Sequence, residues 1–211
     1  MVDGRLVTTL SELLVAAGVL ATVLRHLRHG VFALVVQGLC LAAIAIAFNH
    51  TLAGLASGAL VLTAKAFVVP WLLWRTVREN RALEASESVS GWVYPGIVAA
   101  LLAVQAVDHQ LAPAFGAAGP LLLPSGLVVT LLGLVAIAAR SLLPSQMLGL
   151  ALTENGIYAT GLALTHGLPP VLDLAIVLDL LLALVLLAWL TGRVHAVWGH
   201  LDAEQLDRLR G

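Results

Sequence analysis

Seven apolar runs, each close to the length that crosses a bilayer, constrain this chain more than any other feature. They are Leu6–Leu24, Val31–Phe48, Leu52–Trp74, Trp92–Leu111, Leu121–Ala139, Gln146–Thr165 and Val171–Thr191. A helix needs about 20 mostly apolar residues to cross the hydrocarbon core. Open strands leave their backbone unsatisfied in lipid, and the alternation of a barrel is absent, so helices are expected in all seven. The fifth starts least cleanly, between Pro120 and Pro124. Composition agrees: 60% of residues are hydrophobic and 11% charged, against about 25% charged in a soluble domain. The expected class is an all-α integral membrane protein.

Arginine positions give an orientation. Arg25 and Arg28 follow the first run, Arg75, Arg78 and Arg81 the third, Arg140 the fifth, and Arg193, Arg208 and Arg210 the seventh. Only Arg5 falls on the other side, and the remaining cation, Lys65, lies inside the third run. Positive-inside then predicts an outer N-terminus and a cytoplasmic C-terminus. An odd number of spans is required, and seven fits. No cleavable signal peptide is expected, because Met1–Arg5 lacks a basic stretch and the first run has no clear small-residue cleavage motif.

No Gly/Ser linker divides the chain, so residues 1–211 read as one polytopic domain. Within it, 1–145 holds five helices, 146–198 a helix pair and 199–211 a cytoplasmic tail. The connection Arg75–Ser90 is mixed in charge, and Asp108–Gly119, rich in Ala, Gly and Pro, reads as a loop. In the tail, Asp202 and Gln205 have the capping-box spacing, with Leu206 and Leu209 near one face. A short surface helix is expected there.

The net charge of −1 offers no footprint for nucleic acid. The single cysteine, Cys40, excludes a disulfide or a cysteine metal site within one chain. His26, His29, His50, His109, His166, His195 and His200 fall in or beside connections, with no metal-ligand spacing. There is no CxxCH, Walker A or GxGxxG motif. The chain shows no means of holding a redox centre or hydrolysing a nucleotide, so no cofactor is expected in it. Gly54 and Gly58 form a GxxxG, a weak signal for close helix approach.

Ionisable groups inside the runs are the candidates for chemistry, since a charge at mid-bilayer costs roughly 2.5–3.5 kcal/mol or more. Lys65 is deep in the third run, with Pro70 five residues on and a kink expected there. Glu154 lies fourteen residues before Leu168 and Asp179 eleven after it. At 1.5 Å per residue their depths differ by about 4–5 Å, so antiparallel neighbours would present both to one polar pathway. Tyr158, four residues after Glu154, shares its face. Proton transfer is one reading of these residues; static hydrogen bonds and ion pairs that fix packing are the other. Asp173 starts the last helix, where the helix dipole gives an acid a structural role. Glu12 is intermediate in depth, and Asp108 reads as a boundary residue.

The segment Leu148-Gly-Leu-Ala-Leu-Thr-Glu154-Asn155-Gly156-Ile-Tyr, then Gly167-Leu-Pro and Asp173 through Asp179, resembles the hydrogenase-4 component E family. Thr63-Ala-Lys65-Ala-Phe-Val-Val-Pro70 resembles its lysine-and-proline helix, and His200-Leu-Asp-Ala-Glu-Gln-Leu-Asp-Arg-Leu-Arg-Gly211 its closing segment. The resemblance covers essentially the whole chain and is strongest after Met147. The last helices of that family are similar to the K subunit of respiratory complex I and to the C subunit of multisubunit cation/proton antiporters. Acids on two adjacent helices of the K subunit serve proton translocation. Carried over, the first falls on Glu154 and the second on Asp179; this sequence departs by placing Asp in the second position.

The resemblance implies a membrane-arm subunit of a group 4 [NiFe]-hydrogenase or formate hydrogenlyase-like complex in the cytoplasmic membrane of a bacterium or archaeon. Its partners would be antiporter-like and quinone-site-like membrane subunits and peripheral hydrogenase and iron–sulfur subunits. Iron–sulfur clusters and any [NiFe] centre would belong to those partners. A structural anchor subunit and a subunit of a cation/proton antiporter are the alternatives.

Overall fold

The computed structural model describes residues 4–48, 51–79, 90–115, 122–165 and 169–198. Its elements are α1 (Gly4–Val23), α2 (Leu27–Phe48), α3 (Leu52–Val61), a π-helical segment (Leu62–Val68), α4 (Val69–Glu79), α5 (Val93–Phe115), α6 (Leu122–Ala139), α7 (Leu143–Thr165) and α8 (Pro170–Trp198). No strand occurs among the described residues. Five helices are long and apolar enough to cross a membrane: Arg5–Val23, Leu27–Phe48, Gly54–Arg78, Leu122–Ala139 and Val171–Val194. A shorter apolar stretch, Val93–Gln105, lies in α5. Across the described residues the chain is helical, with the several long apolar helices of a multi-pass membrane protein. The tail helix expected around Asp202 and most of the connection Arg75–Ser90 lie outside the described residues.

The helices follow the seven runs, and three details are new. At Pro70 the run stays helical. α3 and α4 are joined through the π segment, where the Val69 N–H reaches back five residues to the Ala64 carbonyl. Proline offers no N–H to the turn behind it, and the wider turn lets the helix pass that gap. Pro124 is harmless because it sits in the first turn of α6, where backbone N–H groups need no helical partner. The loop expected from Asp108 begins late: α5 runs on to Phe115, because Gln110, Leu111, Ala112 and Ala114 are sound helix formers and Gly116 follows.

Small residues bring α6 and α7 together. A Cβ added at Gly126 would lie 2.7 Å from the Thr160 backbone N, and one at Gly149 would lie 2.8 Å from that of Ile137. Gly133 and Gly156 meet the Thr153 and Thr130 backbones even more closely. The hydroxyls of Thr130, Thr153 and Thr160 turn back onto carbonyls of their own helices, Gly126, Gly149 and Gly156. That satisfies them without water and keeps the seam thin. Gly38 on α2 does the same for the π segment, a Cβ there standing 2.7 Å from the Lys65 carbonyl carbon and the Ala66 nitrogen. Gly58 of the GxxxG packs on Ile46 of α2.

Arg140, read from sequence as an inner-face charge, is only 2% exposed. Its guanidinium donates to the carbonyls of Ala21 (2.9 Å), Thr22 (3.3 Å) and Leu24 (2.9 Å). These are the carbonyls that the end of α1 leaves without partners, and a cation is favoured there. Three other arginines lie over tryptophan rings: Arg28 over Trp74 (5.7 Å to the centroid), Arg75 over Trp71 (5.8 Å) and Arg193 over Trp189 (5.9 Å). The Arg28–Trp74 and Arg75–Trp71 pairs and the Arg140 contact at Leu24 share one end of the bundle. Tryptophan and arginine together mark a membrane–water interface.

Candidate functional site

Gly38 seats the π segment on α2, which also packs on α7, and polar side chains meet where these elements converge. Lys65 is 1% exposed. Its ammonium forms an ion pair with Glu154 Oε2 and donates to Asn155 Oδ1 at 3.1 Å. Asn155 Nδ2 donates in turn to Gln37 Oε1 at 3.1 Å, and Gln37 Nε2 donates to the Leu14 carbonyl of α1 at 2.9 Å. A continuous polar chain thus crosses four elements inside an apolar core. Each link is a specific donor–acceptor pair, the condition under which buried polar groups are tolerated.

On the other side of Lys65 the arrangement is left open. The ammonium lies 4.9 Å from the centroid of the Tyr158 ring. Tyr158 is 1% exposed and Asp173 is fully buried. Asp173 acts electrostatically on both Tyr158 and Lys65. Yet the Tyr158 hydroxyl, both Asp173 carboxylate oxygens and Glu154 Oε1 have no hydrogen-bond partner of standard geometry. Four unfilled polar oxygens therefore flank one paired ammonium. Groups of this kind are satisfied by small displacements or by ordered water.

Of the residues singled out from sequence, Lys65, Glu154 and Tyr158 come together. Asp179 does not join them; it is exposed on α8. The acid that α8 contributes is Asp173, to which the sequence reading gave only a structural role. Six residues separate the two, which is about 120° round a helix. Depth along the membrane, counted from the turn, carries no information about face. Gln37 and Asn155 were also missed as site residues, although a glutamine inside the run Val31–Phe48 and the Glu154-Asn155 pair were visible signals. Glu12 is exposed on α1, and the side chain of Asp108 lies outside the described residues. Among the described residues, no three or more His, Cys, Asp or Glu are grouped to hold a metal ion.

The chain is 32% identical over 206 residues to the uncharacterized protein Rv0085 of Mycobacterium tuberculosis, an alignment spanning 93% of this chain and 92% of that one. It belongs to the Rv0085 family. No family model matches the chain, and no solved structure matches it. With so much of each chain aligned, nearly all of the helical bundle described above falls within the extent shared with Rv0085, rather than one helix pair alone.

Proposed function

We propose that this chain is a non-redox membrane-arm subunit of a hydrogenase-4-like, complex I-related energy-converting oxidoreductase. It would sit in the cytoplasmic membrane, spanning it seven times with the N-terminus outside. The observation that supports a proton role is the buried Lys65–Glu154 pair, bonded on one side through Asn155 and Gln37 and flanked on the other by unfilled oxygens of Tyr158 and Asp173. The Lys65 ammonium hands a proton to the Glu154 carboxylate, and the neutral amine left behind is reprotonated from Asp173 by way of the Tyr158 hydroxyl, which gives up one proton as it takes another. Redox chemistry in partner subunits, which hold the iron–sulfur clusters and any [NiFe] centre, changes the field or packing at Glu154 and so drives the exchange. Antiporter-like and quinone-site-like subunits complete the arm.

The π segment supports a site whose register is adjustable, since single wide turns inside α-helices occur frequently at functional positions. The ion pair itself supports a second reading, in which Lys65 and Glu154 only lock the π segment to α7 and the subunit is a structural anchor. Glu154→Gln separates the two. Glutamine still accepts from the Lys65 ammonium but takes up no proton. The expected result is an assembled complex, intact by native gel, whose proton translocation in vesicles falls by at least about tenfold, the measure of one lost general acid–base step. Unchanged pumping in that assembled complex sinks the proton role and leaves the anchor.

A further inference from the structure

Asp179 is an acid with no place in the polar cluster, and its surroundings say what it needs. It lies nine residues into α8, about 14 Å from the helix start, well inside the apolar span Val171–Val194. Its neighbours on the same outward face are Ala175, Leu178, Leu182 and Leu186, all exposed. Leu182 is 61% exposed and Leu178 and Leu186 are each 56%. A carboxyl group thus stands in the middle of an outward stripe of leucines at membrane depth. Leucines are at home against lipid; a carboxylate is not.

We propose that this face of α8 docks a transmembrane helix of a different protein, one that sets a lysine or arginine against Asp179. The charge requirement selects this occupant. Lys65 is the one lysine or arginine within the apolar interior of the spans, and it is buried and bound to Glu154. A second copy of the chain therefore has no cation to offer. The other exposed acid at similar depth is Glu12, eight residues into α1. Self-association through either surface would set acid against acid or against leucine. A foreign helix with a basic side chain neutralises Asp179 while its apolar residues cover Leu178, Leu182 and Leu186. The inference rests on membrane insertion alone and stands or falls separately from the proton role of Glu154.

The test uses the full tagged chain in its native membrane, with a photoreactive benzophenone residue replacing Leu182, one turn from Asp179. Illumination should join it to a different membrane protein that carries a lysine or arginine within a span. Asp179→Leu should lower that adduct at least about tenfold, as loss of a buried interfacial charge pair does, and Asp179→Asn should act in the same direction. Asp179→Lys combined with an acid at the partner's basic position should restore the adduct. Melting of each variant in detergent should match the parent, because Asp179 is exposed on α8. Adducts confined to lipid, to a second copy, or to a partner without an intramembrane cation overturn the proposal. So does a yield that Asp179→Leu leaves unchanged.

Discussion

Lys65 and Glu154 illustrate how one buried pair sets conflicting demands. Removing Lys65 alone strands the Glu154 carboxylate against the core, which costs about 3–5 kcal/mol for a buried pair, whereas glutamine in place of Glu154 keeps an acceptor for the ammonium. Lys65→Met should therefore lower the thermal stability of the purified protein sharply, while Lys65→Met with Glu154→Gln should recover most of the loss. The check is a double-mutant cycle from melting curves in detergent; simple additivity would mean the two side chains are not one unit. Asp173 differs, because it meets the Tyr158 hydroxyl and acts on Lys65 without a hydrogen bond of standard geometry to either. Asp173→Asn should leave stability within about 1 kcal/mol, the size of an ordinary hydrogen-bond change, yet slow proton translocation if it feeds Tyr158. At this scale the sequence was half legible. A lysine, a glutamate and a tyrosine inside apolar runs announce themselves by their cost in lipid. Which acid of α8 joins them is a question of helix face, and a uniformly apolar helix has no polar side from which to read it.

At the scale of elements, glycine and threonine do what large apolar side chains do in soluble bundles. Lipid is as apolar as leucine, so helices adhere where backbones approach closely rather than where leucines are hidden. The seam between α6 and α7 has four such glycines, and enlarging one has a predictable direction. Gly156→Leu must push α7 away from Thr130 and with it displace Glu154 and Asn155. We expect a loss of thermal stability of about 1–3 kcal/mol, typical of overpacking. Gly192→Ala, with open space around it on α8, should be neutral or stabilising by up to about 1 kcal/mol from helix propensity. Melting temperatures of the two variants measure the contrast, and equal losses would remove the seam's special role. The helix positions were readable because apolar length is a strong signal. Before the structure, Gly54 and Gly58 stood out as a motif while the glycines of α6 and α7 did not, because their spacing of seven, Gly126 to Gly133 and Gly149 to Gly156, matches no short pattern. The π segment was equally hidden: Pro70 marks where a backbone bond is missing, but not how neighbouring turns absorb the gap.

For the whole molecule the decisive question is whether α5 and α7 cross the membrane along with the five longest apolar helices. α7 carries Glu154, Asn155 and several hydroxyl residues, which lower its apparent hydropathy although they face the core. α5 has only the short stretch Val93–Gln105 of strong apolar character. Two physical arguments nevertheless favour seven spans. α7 packs along α6 with close backbone approach at Gly126, Gly133 and Gly149, and a helix seated in this way against a span is expected to run through the bilayer beside it. Seven spans would also bring Arg193 and Trp189 to the end that holds Arg28, Arg75 and Arg140, as the positive-inside bias favours. Single cysteines test this after replacing Cys40, which is buried. With all seven spans, Thr51→Cys and Pro169→Cys should react with a membrane-impermeant maleimide in intact spheroplasts, whereas Arg25→Cys, Gly91→Cys and Ser141→Cys should react only after lysis. All five positions are at least partly exposed. If α7 does not cross, Pro169→Cys will label from the same side as Ser141→Cys. The polar cluster would then not lie at mid-membrane, and a proton path across the bilayer through Glu154 would be untenable. If α5 does not cross, the outward and inward assignments after Trp92 exchange, and Arg140 and Arg193 are carried to the outer face against the positive-inside bias. The pattern expected from seven spans therefore tests the topology and the depth of the site in one experiment.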